Sequence, residues 1–336
     1  MDKRFFNNKK ILITGGTGSL GKAIIKYLKK KFNSKIIIFS RDEGKQALSF
    51  GSDRSISRVI GDVRDFEKLN TTFSIHKPDY VIHTGALKRV DDMEFYPDEC
   101  VKTNVQGSEN VARASLLNNV KKCILVSTDK ACQPINVYGS SKFIAERIYT
   151  NYDYNSNTTI FSSVRYGNVI ASRGSFIPLW IDLLSKGEKI KVTSLECTRF
   201  LFPLSDAVET VLNSLYYSEG GEVFIPKINS FKMGNVIKAV EKIINEDTLM
   251  NIPKTIDMEV MGMRPGEKFH EDMLAKTELD FTYKVPNINL LQIRPQYTNK
   301  TYQDWNKYKG PEFNSALWVK KDINELTELI EKGLKC

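Results

Sequence analysis

The chain has 336 residues, and its 49 Lys+Arg against 40 Asp+Glu give a formal net charge of +9. At roughly 150 residues per domain, this length suggests two domains or one large α/β unit. Hydrophobic residues at 41% and charged residues at 26%, with 20 glycines and 11 prolines, exclude a disordered chain, a collagen-like fibre and a low-complexity protein.

No apolar run approaches the ~20 residues that a bilayer span requires. Met1 to Lys10 is charged and leads straight into a strand pattern, unlike a signal peptide. The expectation is a cytoplasmic protein without membrane association. Cys100, Cys123, Cys132, Cys197 and Cys336 are odd in number, scattered and free of any CxxC pair, which argues against a disulfide framework or a zinc site. His76, His83 and His270 lack ligand spacing, so no metal is expected. The positive charge fits either a polyanionic partner or a lysine-rich solvated surface. No basic stripe with interleaved aromatics points to nucleic acid.

From the N-terminus, short apolar runs alternate with amphipathic stretches. Lys10-Ile11-Leu12-Ile13 reads as a buried strand, followed by a helix from about Ser19 to Lys31. Lys35 to Phe39, Val59-Ile60, Tyr80-Val81-Ile82 and Cys123 to Val126 give further strands. These runs are continuous rather than alternating, as in strands covered on both faces. The order predicts an α/β fold, a Rossmann-type doubly wound parallel sheet. Beyond about Gly174 the rhythm breaks. Phe176 to Leu184 and Ser205 to Tyr216 read as helices, Val223-Phe224-Ile225 as a strand returning to the main sheet, and Lys321 to Lys332 as an amphipathic helix. From about Asn251, short strands and proline breaks mix. The expected division is a doubly wound domain over 1–174, with segments returning at about 200–245. A smaller mixed α/β substrate-binding lobe would occupy 175–336 and be discontinuous.

The first strand runs into Thr14-Gly15-Gly16-Thr17-Gly18-Ser19-Leu20-Gly21. Gly15 permits the tight turn, Gly18 lets the backbone approach a diphosphate, and Gly21 allows close helix–strand packing, with the anion on the helix N-terminus. Such a fingerprint in the first βα unit predicts dinucleotide binding along Thr14 to Gly21. At the end of the second strand stands Ser40-Arg41 rather than a carboxylate. A guanidinium takes the 2′-phosphate of NADP through paired hydrogen bonds, and Ser40 can add another. The alternative leaves Arg41 in solvent and gives the ribose to Asp42. Asp62 and Val63, just after the third strand, suit the adenine edge, although Asp62 also fits a helix N-terminal turn.

The fifth strand ends in Ser127-Thr128-Asp129-Lys130, and Tyr138-Gly139-Ser140-Ser141-Lys142 follows. Four residues apart on a helix, Tyr138 and Lys142 share a face. A tyrosine near its usual pKa of ~10 is a poor base at neutral pH, and a neighbouring ammonium would draw that value down.

Thr14-Gly15-x-x-Gly18-x-x-Gly21 with Tyr138-x-x-x-Lys142 resembles the extended short-chain dehydrogenase/reductases. Ser40-Arg41-Asp42-Glu43, Ala86-Leu87-Lys88, Ser127-Thr128-Asp129-Lys130-Ala131 and Asn136-Val137-Tyr138-Gly139 are similar to nucleotide-sugar 4,6-dehydratases, nearest to the inverting UDP-N-acetylglucosamine group of bacterial surface-sugar pathways. Val164 to Val169, Ser172-Arg173-Gly174-Ser175, Thr198-Arg199-Phe200 and Met263 to Lys268 continue the match, which spans roughly residues 8 to 280. The resemblance implies NADP-dependent dehydration with Tyr138, Lys142 and Thr128 at the hydride step, Asp129 as acid and Lys130 as base. It also implies Ala86 and Asn104 on the cofactor side. Lys88 and Asn168 would meet the substrate, Arg199 and Arg264 its diphosphate, and Glu267 the nucleoside end. Each arginine also has a plain surface reading. A homo-oligomer is expected.

Departures from that pattern lie at Thr84-Gly85, Arg89, Gln133, Ala171 and Leu201-Phe202-Pro203. They bear on substrate identity more than on reaction type. The aromatic tail (Tyr297, Tyr302, Trp305, Tyr308, Phe313, Trp318) fits a cover over the site, a subunit contact or packing onto the core. A nucleotide-sugar 4-epimerase or 4-ketoreductase would need Tyr138 and Lys142 but not Asp129-Lys130. Dehydration with retention at C5 and an NADP-sensing regulator remain further alternatives.

Overall fold

The computed structural model describes residues 2–170, 172–246 and 255–335. Ala171 and Cys336 lie outside the described residues, as does the start of the mixed region near Asn251.

In chain order the strands are β1 (Lys10–Thr14), β2 (Lys35–Ser40), β3 (Ile56–Ile60), β4 (Tyr80–His83), β5 (Lys122–Val126), β6 (Ile160–Val164), β7 (Asn168–Val169) and β8 (Ile190–Val192). They continue with β9 (Thr198–Phe202), β10 (Val223–Pro226), β11 (Ser230–Lys232), β12 (Met258–Val260), β13 (Asp272–Leu274), β14 (Thr282–Lys284), β15 (Leu290–Ile293) and β16 (Phe313–Asn314). The main sheet runs β14-β15-β10-β6-β5-β4-β1-β2-β3. From β3 to β10 every pairing is parallel, and β15 and β14 add antiparallel strands at the far edge.

Parallel strands need crossover connections, and helices cover both faces of this sheet. Ile11, Ile13, Ile36 and Ile38 pack against Ile24, Leu28, Val211 and Leu215 of the helices Ser19–Lys31 and Leu204–Tyr217. Leu12, Ile37, Val81 and Leu125 turn the other way. They meet Leu69, Phe73, Val111, Ala145 and Tyr149 of the helices Phe66–His76, Gly107–Leu117 and Val137–Tyr154. Burial on both sides explains why these strands read as continuous apolar runs. Strand order reverses between β1 and β4, and Thr14 pairs with Phe39 on one side and His83 on the other. The crevice at these carboxyl ends is the ligand-binding place of a doubly wound fold.

The second lobe packs the helices Phe176–Ser185, Met233–Glu246 and Ile323–Leu334 around Trp180, Leu184, Val236, Val240, Leu326 and Ile330. Its sheets are β11-β9-β7 and β12-β8. The chain passes between lobes more often than its composition suggests. Residues 204–226 and 282–293 belong with the main sheet, whereas β9 and the helix Met233–Glu246 build the lobe. Of the tail aromatics, Trp305 packs edge-on against Tyr217, and Trp318 stacks on Phe313 at 4.3 Å. Tyr308 is buried with Phe313, while Tyr297 is exposed. No helix among the described residues is long and apolar enough to cross a membrane.

Candidate active site

The glycine turn after β1 is shaped by close approach. Gly15 has φ +65°, and a Cβ there would lie 2.8 Å from Gly85 Cα. A Cβ on Gly21 would lie 2.7 Å from the Gly15 carbonyl oxygen. The helix Ser19–Lys31 starts from Gly18 with no side-chain cap, leaving its first N–H groups for an anion. Thr14 is occupied structurally. Its hydroxyl meets His83 Nδ1 at 2.6 Å, and its carbonyl accepts from Thr84 Oγ1. Burial lowers the His83 pKa to about 3, so the ring is neutral between Thr14 and Ser108. Leu20 packs on the core. Thr17 and Ser19 both receive Arg173: its guanidinium donates to the Thr17 carbonyl at 3.1 Å and its amide to Ser19 Oγ at 3.0 Å.

At the end of β2, Arg41 is half exposed and 3.6 Å from Asp62. Asp42 caps the helix Glu43–Phe50, accepting from Lys45 N, and pairs with the Lys45 ammonium. Its carboxylate therefore has local work, whereas Arg41, among the described residues, has only the 3.6 Å contact with Asp62. Gln46, which the sequence reading passed over, donates to Ser40 Oγ, Ser40 O and Val59 O. Asp62 accepts from Arg64 N and Nε, as a turn residue does. Val63 is buried beside Gly107.

Asn104 sits in a π-helical turn, Val101–Gln106, and grips Leu87 through both backbone groups at 2.8 and 2.9 Å while donating to Ser141 Oγ. It thereby fixes the Ala86-Leu87-Lys88 loop against the helix carrying Tyr138. Ala86 is exposed on that loop, and Lys88 reaches the Arg173 carbonyl at 2.9 Å. Burial and Arg173 lower the Lys88 pKa. Asn168 Oδ1, on β7, is buried without a partner.

The helix Val137–Tyr154 begins with Asn136, whose side chain accepts from Gly139 N at 2.6 Å. Gly139 lies against the preceding turn so closely that a Cβ would stand 2.2 Å from the Lys130 carbonyl oxygen. This contact locks Tyr138 beside the Asp129–Ala131 turn. The expected drop in the tyrosine's pKa is not what the structure shows. Burial pushes Tyr138 up to about 12, and the Lys130 ammonium and the Thr128 hydroxyl only partly offset it. Lys142, buried on the same helix, is lowered to about 8 by desolvation.

Asp129 is buried. Its Oδ1 accepts from Thr128 Oγ1 at 2.9 Å, Lys130 N at 2.9 Å and Lys130 Nζ at 3.2 Å, while Oδ2 has no partner. Lys130 Nζ also lies 3.0 Å from Glu271 Oε1. Burial opposes the charge on Lys130, but the Asp129 and Glu271 carboxylates outweigh it and raise its pKa, so the amine is protonated. From Glu271 the charges continue outward in alternation. Arg199 lies 3.8 Å from Glu271 and 2.8 Å from Glu267, Glu267 lies 3.1 Å from Arg264, and Arg264 lies 2.7 Å from Asp91. Arg264, Thr193 and Arg199 overcome the effect of burial and lower the Glu267 pKa. Both arginines are engaged with carboxylates, and Arg199 also donates to the Thr198 and Phe269 carbonyls.

The sequence reading missed Glu271 and the buried network of Glu146, Arg165 and Glu278. In that network Arg165 lies 2.8 Å from Glu146 and 2.9 Å from Glu278. Only the folded chain brings these partners together.

The pattern of a family described as polysaccharide biosynthesis protein matches residues 11–292. A UDP-N-acetylglucosamine 4,6-dehydratase (inverting) from Campylobacter jejuni is 41% identical over 84% of this chain and 82% of the relative. A UDP-glucose 4-epimerase from Rickettsia bellii is 38% identical over 82% of this chain and 80% of the relative. The X-ray structure of Pen from Bacillus thuringiensis superposes with a TM-score of 0.89 at 32% identity, covering 98% of both chains. The chain belongs to the polysaccharide biosynthesis protein family.

Proposed function

We propose that this protein carries out the 4,6-dehydration of a nucleotide-activated N-acetylhexosamine, UDP-N-acetylglucosamine foremost, oxidising C4 and eliminating water across C5–C6 to give a 4-keto-6-deoxy sugar with inversion at C5 for bacterial surface-glycan synthesis. The observation that carries this reading is the pairing of a buried carboxylate, one oxygen unpartnered, with an amine 3.2 Å away beside Tyr138. A 4-epimerase needs only Tyr138 and Lys142. The inverting dehydratase from Campylobacter supports both the substrate and the C5 outcome.

The uncapped helix start and the Gly15–Gly21 cradle fit a dinucleotide diphosphate, and Arg41 with Ser40 suits the 2′-phosphate of NADP. Thr14 to Gly21 would hold the dinucleotide diphosphate, and a nicotinamide bound there in its oxidised form would supply a hydride acceptor for sugar C4 and the hydride donor for C6. As the phenolate, Tyr138 takes the proton of the 4-hydroxyl, the Thr128 hydroxyl and the Lys130 ammonium favouring that form against burial. The resulting ketone acidifies C5–H. A proton shift from Lys130 Nζ to Asp129 yields a neutral amine and a protonated carboxyl in one move. Lys130 then takes the C5 proton and Asp129 protonates the departing 6-hydroxyl, which restores the ammonium–carboxylate pair. As hydride reaches C6, the proton that Tyr138 took from the 4-hydroxyl goes to C5 on the opposite face. Lys88 and Asn168 lie on the substrate side, and Arg264 stands at the rim.

Incubation with UDP-N-acetylglucosamine, followed by mass spectrometry, tests the reading. Loss of one water is expected. An unchanged mass with a new 4-epimer, the reaction named for the Rickettsia relative, would overturn it.

A further inference from the structure

We propose that Glu271 is a positioning residue for the elimination step: its carboxylate holds the Lys130 amine against Asp129 and strengthens that amine as the base for C5. This rests on the reaction proposed above.

Lys130 Nζ has acids on two sides, Asp129 Oδ1 at 3.2 Å from its own turn and Glu271 Oε1 at 3.0 Å from the loop before β13. Arg199 on β9 and Tyr138 on the helix Val137–Tyr154 also face it. Glu271 is itself fixed. Its amide donates to Ser315 Oγ at 2.7 Å, its carbonyl accepts from Ser315 N at 2.8 Å, and Arg199 Nε stands 3.8 Å from its carboxylate. A buried carboxylate with one unpartnered oxygen is costly for a fold to keep without use.

Its use follows from the proton inventory. Elimination begins from Asp129 protonated and Lys130 neutral, and ends with Asp129 ionised and Lys130 as ammonium. The Glu271 carboxylate, 3.0 Å from Nζ, favours the ammonium that forms as the C5–H bond breaks. The step leaves the cluster's protons unchanged, because water carries away the one from Asp129 and C5 replaces it on Lys130. Activity then needs a single shared proton on the Lys130–Asp129 pair, which gives a bell-shaped pH profile. The alkaline limb marks loss of that proton, and the acid limb marks gain of a second.

The test is the pH profile of kcat for water loss from UDP-N-acetylglucosamine, measured for wild type, Glu271→Gln, Glu271→Ala and Glu271→Asp. Removing the negative charge makes the pair easier to deprotonate. Both limbs of the Gln variant should therefore move to lower pH, the alkaline one by about one unit, while kcat at the optimum falls about 10- to 100-fold. Glu271→Ala should show the same displacement, and Glu271→Asp should return the limbs toward the wild-type position. Limbs unmoved in both uncharged variants would overturn the proposal, since a carboxylate that only braces the fold would lower the rate without displacing the bell. Wild-type water loss is the control for the reaction itself, so failure of that reading shows in the wild type and failure of the Glu271 role only in the variants.

Discussion

Glu271 Oε1 stands 3.0 Å from Lys130 Nζ, joining the turn after β5 to the start of β13 through one buried ion pair. The pair ends an alternating line of charge that reaches the surface at Asp91 and Arg264.

Lys130→Ala removes the proposed base while leaving the glycine turn intact. Water loss should fall by ~10³-fold or more, and NADP+ binding, followed by quenching of tryptophan fluorescence, should stay within twofold of wild type. Wild-type turnover by this variant would show that another group takes the C5 proton.

Arg41, just after β2, has a half-exposed guanidinium, and its 3.6 Å contact with Asp62 is loose. Arg41→Ala should weaken NADP+ binding ~10- to 100-fold, the range expected for one lost charge-assisted contact, and change NAD+ binding little. Equal weakening of both cofactors in calorimetric titration would contradict a 2′-phosphate role.

Gly139→Ala places a methyl group 2.2 Å from the Lys130 carbonyl oxygen, so helix and turn must separate. The expected cost is about 1–3 kcal/mol in denaturant unfolding. An activity loss of ~10-fold or more should accompany it, because Tyr138 and Lys130 lose their mutual placement. Full activity with wild-type stability would mean that the two elements are not locked together.

Glu222 lies far from the crevice, buried beside Gln292, with Oε2 unpartnered. Burial raises its pKa from 4.5 to about 7, so the native state holds a proton that the unfolded chain releases above 4.5. The sign is therefore a stability fully present below pH 4.5 and lost as pH rises through 7, on the order of 3 kcal/mol from this group. Glu222→Gln should remove that dependence, seen as a smaller drop in unfolding free energy between pH 5 and pH 8. An identical drop in both proteins would exclude Glu222 as its source.

The parts of the site readable in the sequence are local in the chain. Gly15, Gly18 and Gly21 follow one strand, and Tyr138 and Lys142 share one helical turn, so spacing alone marks them. Asp129 and Lys130 stand out through their place after β5. Glu271 carries no such mark, since its partner is supplied by the packing of β13 beside the Asp129–Ala131 turn. The same holds for Arg165 with Glu146 and Glu278. Spacing also misjudged Tyr138: a nearby lysine suggested a lowered pKa, but the depth of the phenol outweighs the neighbouring charge. The tail was illegible for a related reason. Its short strands β14 and β15 gain their meaning from pairing with β10.

The central claim is that hydrogen leaves C4 and returns to C6 within one active-site visit. UDP-N-acetylglucosamine carrying deuterium at C4 tests it directly, with the product analysed by mass spectrometry and NMR. The account predicts a product lighter by one water with the deuterium on C6. Deuterium still on C4 in a product of unchanged mass would contradict it.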